Sequence, residues 1–140
     1  MMRDKELMCL AEDARRNAYA PYSGFRVGAA LLTKDGRVYT GCNIENAAYS
    51  PTCCAERVAV FRAVSEGARE FAAIAIVGGH HDAPDDVCAP CGVCRQVLSE
   101  FCSADFRVLL GNVEEIRAYK LSELLPLSFS LAHGEGGDAQ

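Results

Sequence analysis

"FAAIAIVGG", residues 71 to 79, decides how the chain is built. The run has strand length and no polar side chain interrupts it, so the strand is covered on both faces. Such a strand sits inside a sheet with helices packed against it. Upstream, residues 53 to 66 carry helical apolar spacing, expected to bury Val58, Val60, Phe61 and Val64, and stop at Gly67. Downstream, residues 91 to 102 read as another helix and "DFRVLLG", residues 105 to 111, as another strand. The central strand is thus flanked by strand-helix-strand crossovers, which imply parallel pairing in part of the sheet.

Further out, "FRVGAALLT", residues 25 to 33, reads as a mostly buried strand. "KDG" turns it, and "RVYTGCNIE" returns, so residues 25 to 45 make an antiparallel hairpin. Residues 4 to 18 repeat apolar side chains at helical spacing (Leu7, Leu10, Ala11, Ala14, Ala18) until "YAPYSGF" breaks the pattern. "EEIRAYK" is a weaker fifth strand, and "SELLPLSF" holds one helical turn. The order α-β-β-α-β-α-β-β predicts an α/β fold: a mixed sheet with helices on its faces. One domain over residues 1–130 is expected, followed by a disordered tail at 131–140 that carries "HGEGGDAQ".

The 140 residues, half of them apolar, suit one core. The formal charge is −5, with no long basic run, which argues against a sequence-independent grip on nucleic acid. A small polar ligand is the better expectation. No window reaches the ~18 apolar residues of a membrane span. The N-terminal "MMRDKELMCL" has no apolar signal-peptide core. The eight cysteines are therefore read as reduced, cytoplasmic thiols, and clustered thiols of that kind point to metal or catalysis.

Two clusters matter. In "APCGVCRQVLSEF", residues 89 to 101, Cys91 and Cys94 stand three apart on the first turn of a helix. That spacing puts both sulfurs on one side, with Cβ atoms ~5–6 Å apart. Tetrahedral zinc, with Zn–S bonds of ~2.3 Å, needs sulfurs a little under ~4 Å apart. Alone, C-x-x-C serves metal and redox sites alike. "PTCCAERVAVF", residues 51 to 61, adds Cys53 and Cys54 at the mouth of the other helix. Both as ligands would close a four-thiolate structural site; one alone would leave the fourth position open for catalysis. Glu56 favours the second case, because a catalytic site needs a carboxylate to move protons and a structural site does not. Arg57, three residues after Cys54, falls on its side of the helix and would offset thiolate charge.

"CAER" at 54 to 57 and "PCGVCRQ" at 90 to 96 resemble the zinc-dependent cytidine deaminases, in their small homotetrameric branch. "FRVGAAL", "GCNIENAAYSPTCCAER" and "LLPLSF" are similar to the same family, so the likeness runs over roughly residues 5 to 130. It implies a three-layer fold with a five-stranded mixed sheet between helices. It implies Zn²⁺ held by Cys54, Cys91 and Cys94, the three-cysteine variant of the family pattern, and Glu56 as general acid and base. It further implies that Asn43 and Glu45 grip ribose hydroxyls, that Phe25 packs against a nucleoside, and that the Ala55 backbone N–H binds the pyrimidine 2-oxo group. Phe129 resembles an aromatic that reaches a neighbouring subunit's site, and Tyr49 would line the pocket. The implied reaction converts cytidine and 2'-deoxycytidine to uridine and 2'-deoxyuridine with release of ammonia, in pyrimidine salvage. Ala89 departs from a serine common in the family, and Cys53 and Cys88 are extra thiols. Three rivals stay open: a deaminase of another aminopyrimidine of the blasticidin type, a four-cysteine structural zinc module, and a C-x-x-C redox protein.

Overall fold

The computed structural model describes residues 2–80, 82, 84 and 87–131. The expected tail at 131–140 lies outside these apart from Leu131. The elements in chain order are α1 (Asp4–Arg15), β1 (Arg26–Thr33), β2 (Val38–Cys42), α2 (Ala55–Ser65), β3 (Phe71–Gly79), α3 (Gly92–Phe101), β4 (Arg107–Gly111), β5 (Ile116–Lys120) and α4 (Leu121–Leu124). Helix α1 begins where the Arg3 N–H donates to Glu6 Oε1 at 2.8 Å. It stops three residues short of the expected end. The N–H groups of Arg16, Asn17 and Ala18 bond carbonyls only three residues back, a tightened turn that leads out of the helix.

The five strands form one sheet in the order β2-β1-β3-β4-β5. The pairs β2–β1, β1–β3 and β4–β5 are antiparallel, and β3–β4 is parallel. Two crossovers were expected to give parallel pairing, and only the one through α3 does so directly. Strand β1 inserts between β2 and β3, which run in the same direction without touching. The consequence for function is geometric. Helices α2 and α3 follow co-directional strands, so both begin at the same edge of the sheet.

Strand β3 is buried on both faces, as its composition requires. Ile74 and Ile76 pack with Val27, Ala29 and Leu31 against the side that carries α2 and α3. Ala73, Ala75 and Val77 pack with Ala30 and Leu32 against Leu7, Met8 and Ala11 of α1. The sheet is therefore sandwiched between helices, with β2 and β5 as its two edge strands, and β5 has most of its residues exposed. Helix α2 differs from expectation. Its buried side is Ala55, Glu56, Ala59, Val60 and Ala63, so of the four side chains expected inside only Val60 is fully buried; Val58 and Val64 are half-buried and Phe61 is 48% exposed. The reason lies on β2. A Cβ placed on Gly41 would come within 2.5 Å of the Ala55 carbonyl and 2.6 Å of the Ala59 nitrogen. The helix lies so close to the strand that alanines fill its inner face and the ring of Phe61 is turned outward.

Candidate metal centre

Residues 43–54 lead from β2 to α2 and fold back on themselves. The Ile44 N–H donates to the Cys53 carbonyl at 2.9 Å, and the Cys53 N–H returns the bond at 3.0 Å. This bridge places Cys54 at the N-cap of α2 with extended backbone (φ −72°, ψ 155°). Cys91 holds the matching place at the start of α3, where its Sγ accepts from the Cys94 N–H at 3.4 Å. The two helix starts meet at the sheet edge. The sulfurs of Cys54, Cys91 and Cys94 all lie within 4.8 Å of one another, and Cys54 and Cys91 are 3.8 Å apart. Tetrahedral zinc with bonds of ~2.3 Å fits that spacing. Cys94 is buried, Cys54 half-buried and Cys91 exposed, so the cluster faces solvent on one side.

Among the described residues this is the only group of three or more histidine, cysteine or carboxylate side chains placed to hold a metal. Cys53 is not part of it. A closed four-thiolate site therefore lacks its fourth sulfur here.

The electrostatics of the metal-free chain prepare the cluster for a cation. The Cys54 thiol is pulled down to about 5, first by the hydrogen bond from Cys94, then by those from Arg57 and Cys91, against the cost of burial. Cys94 moves up for the complementary reason: its S–H donates a hydrogen bond to Cys54 and so keeps its proton, it is buried, and Glu56 stands close. Arg57 Nη2 donates to Cys54 Sγ at 3.4 Å, and that thiolate holds the guanidinium charged. Arg57 Nε is buried and has no hydrogen-bond partner among the described residues.

Glu56, at the second position of α2, is 4% exposed. Burial pushes its carboxyl up to about 7; the Cys54 thiolate adds to the rise, and its own backbone N–H opposes it. A carboxyl that titrates near neutrality beside an open-faced sulfur cluster can both take up and release a proton at physiological pH.

Ala55 is the first residue of α2, so its N–H has no acceptor within the helix. Asn43 Oδ1 accepts from the Val27 N–H and Asn43 Nδ2 donates to the Phe25 carbonyl, both at 2.8 Å. Glu45 accepts from the N–H groups of Tyr22 (2.9 Å) and Ser23 (3.1 Å) and from the Ser23 hydroxyl. Both side chains therefore brace the backbone that leads into β1, and only their second lone pairs and protons are left for a ligand. The Phe25 ring meets His80 edge-on at 5.0 Å. Tyr49, at φ 62°, is 75% exposed and touches Tyr22 edge-on. Phe129 is 67% exposed, and its carbonyl accepts from Gln96 Nε2 at 3.0 Å. Sequence reading passed over Ser23 and Gln96. Their partners stand 22 and 33 positions away, and no local spacing signals a bond of that kind.

Comparison with known proteins agrees with this geometry. Residues 1–110 match the family model for the cytidine and deoxycytidylate deaminase zinc-binding region. The chain is 50% identical over 127 residues to a cytidine deaminase of Sporosarcina psychrophila, covering 90% of each chain. It is 54% identical over 121 residues to that of Halalkalibacterium halodurans, covering 86% of this chain and 89% of the relative. The crystal structure of cytidine deaminase from Burkholderia pseudomallei superposes with a TM-score of 0.84 at 48% identity, covering 91% of this chain and all of that one (100%). With three sulfurs gathered at paired helix starts and the fold shared over nearly its whole length, the chain belongs to the zinc-binding cytidine and deoxycytidylate deaminase family.

Proposed function

We propose that the chain hydrolyses cytidine and 2'-deoxycytidine to uridine and 2'-deoxyuridine, releasing ammonia, and so serves pyrimidine salvage. The observation that carries this reading is a carboxyl poised near neutrality, buried beside three convergent thiols that are open on one side. Cys54, Cys91 and Cys94 would hold Zn²⁺. The chemistry the ion supplies when bound is Lewis acidity, which makes water a nucleophile at neutral pH. Glu56 takes a proton from the attacking water and delivers it to N3 of the ring. It then carries a second proton to the departing amino group, which leaves as ammonia. Atoms balance: the water oxygen becomes the 4-oxo oxygen, one water hydrogen ends on N3, and the other leaves with the amino group as ammonia. Arg57 offsets the charge of three thiolates.

The Ala55 N–H donates to the 2-oxo group, Phe25 packs on the base, and Asn43 and Glu45 meet the sugar hydroxyls from the loop they brace. Tyr49 borders the entrance. Phe129 is too exposed to serve its own core, which supports a homotetramer in which it completes a neighbour's site. All eight cysteines are free, which suits the reducing cytoplasm. No helix among the described residues is long and apolar enough to cross a membrane.

The test is zinc content measured alongside uridine formed from cytidine. One zinc per chain and chelator-sensitive ammonia release are expected. Glu56→Gln should keep its zinc and lose more than the ~10²–10⁴-fold of a single acid-base step, because Glu56 serves several. Full zinc with no deamination of cytidine overturns the proposal.

A further inference from the structure

The segment after α4, residues 125–131, is exposed along most of its length and carries Leu127, Phe129 and Leu131 outward. It arches over a cavity of about 480 Å³ whose walls include Ser99 and Cys102 of the α3 side and Leu121 of α4. Apolar packing does not hold it down. Two polar side chains do, and they are neighbours on the first turns of α3, directly after Cys94. Arg95 Nε donates to the Pro90 carbonyl at 2.7 Å, and Arg95 Nη1 donates to the Leu124 carbonyl at 2.6 Å. Gln96 Nε2 donates to the Phe129 carbonyl at 3.0 Å, the one hydrogen bond made by residues 126–131 among the described residues.

No carboxylate pairs with Arg95 among the described residues. Its rigid fork is spent on two backbone carbonyls. One belongs to the buried Pro90, immediately before the thiol of Cys91; the other closes the last turn of α4. A shift of Pro90–Cys91 must therefore strain the same side chain that fixes Leu124.

We propose that Arg95 and Gln96 are positioning residues that couple the metal turn to the C-terminal segment, so that filling the thiol cluster fixes where Phe129 is presented. The inference rests on the reading that the cluster binds zinc and that Phe129 serves a nucleoside site. Coupling of this kind is reciprocal: loosening the segment weakens the grip on the ion by the same factor by which losing the ion loosens the segment.

Amide hydrogen exchange at Leu125, whose N–H bonds the Leu121 carbonyl at 2.9 Å next to the carbonyl that Arg95 holds, followed in the full chain with zinc and after chelation, reads the coupling directly. Zinc should slow exchange by about 5- to 150-fold, the usual range for two linked sites. In Arg95→Met, which keeps the apolar stem and removes both donors, exchange should be fast with or without zinc, and zinc should leave faster in chelator competition. Arg95→Lys should not restore the coupling, because one ammonium cannot reach two carbonyls in fixed directions. Gln96→Leu should loosen the segment, raise KM for cytidine with little change in kcat, and speed zinc release in chelator competition by the factor that the linkage requires. If Arg95→Met does not fold, the joint rise of KM and zinc release in Gln96→Leu decides.

Zinc-dependent protection that survives unchanged in Arg95→Met, or in Gln96→Leu when that variant must decide, overturns the coupling. A wild-type chain that binds zinc and deaminates cytidine, yet shows zinc-independent exchange at Leu125, overturns the coupling alone. A chain that takes up no zinc overturns the functional reading beneath it.

Discussion

Glu56 has its carboxyl within the core at the mouth of α2, and its proton affinity shapes the stability of the metal-free chain. The carboxyl titrates at about 7 in the folded state against a reference of 4.5. Between those values the folded chain binds more protons than the unfolded one, so this group makes stability fall as pH rises. Across that window the loss is about 3 kcal/mol. Cys54 acts oppositely: its thiol is depressed from 9.0 to about 5, so its stabilisation is complete above 9.0 and is lost as pH falls toward 5. Because Cys54 is common to both proteins, comparing wild type with Glu56→Gln reports the carboxyl together with its repulsion from the Cys54 thiolate. In chelator, the variant should gain on wild type by about 3 kcal/mol between pH 4.5 and 7 and by little outside it, read from urea unfolding. A difference that stays flat with pH would mean that the carboxyl is hydrated. The chemical identity of the site was legible at this scale, because Cys91, Cys94, Cys54 and Glu56 are close in sequence within two helix starts. The bonding of Asn43 and Glu45 was not. Their partners are backbone groups of residues 22 to 27, brought to them only when the hairpin closes.

Among the elements, α2 is the one whose position matters most. It carries Cys54, Glu56 and Arg57, and its height above the sheet is set where Gly41 of β2 meets Ala55 and Ala59. Gly41→Ala puts a methyl group against backbone atoms, which cannot rotate away as a side chain can. A cost of about 1–3 kcal/mol is expected, with the start of α2 lifted from β2. Cys54 rises with it, so zinc should dissociate faster in chelator competition than it does from wild type. Gly92, the first residue of α3, provides the contrast: a Cβ there meets nothing within 4 Å. Gly92→Ala should leave the metal-free chain as stable as wild type or up to about 1 kcal/mol more so. Equal urea midpoints for wild type and Gly41→Ala would show that the helix is not seated on the strand. The same contact explains why Phe61 was misread. Helical periodicity places apolar residues on the inner face, but the depth available there depends on a glycine in a different element.

For the whole molecule, the arrangement of strands matters more than their number. Inserting β1 between β2 and β3 makes the two crossovers point their helices the same way, and that convergence creates the thiol cluster. Phe61, Tyr49, Leu127 and Phe129 are among the large apolar side chains that stay on the outside of the single chain. If Phe129 completes a neighbour's site, each site draws Glu56 from one chain and Phe129 from another. Truncating an aromatic that stacks on a base costs about 1–3 kcal/mol, so Phe129→Ala alone should lose roughly 5- to 150-fold in kcat/KM. Glu56→Gln alone should lose more. Dissociated and reassembled together in equal amounts, the two variants form mixed assemblies. A Phe129→Ala chain then supplies the carboxyl while a Glu56→Gln neighbour supplies the ring. Random mixing makes roughly a quarter of sites whole, so deamination should recover to about that fraction of wild type. The recovery should vanish when the variants are mixed without dissociation. Activity no greater than the sum of the two separate variants would place Phe129 in its own chain's site, or in none.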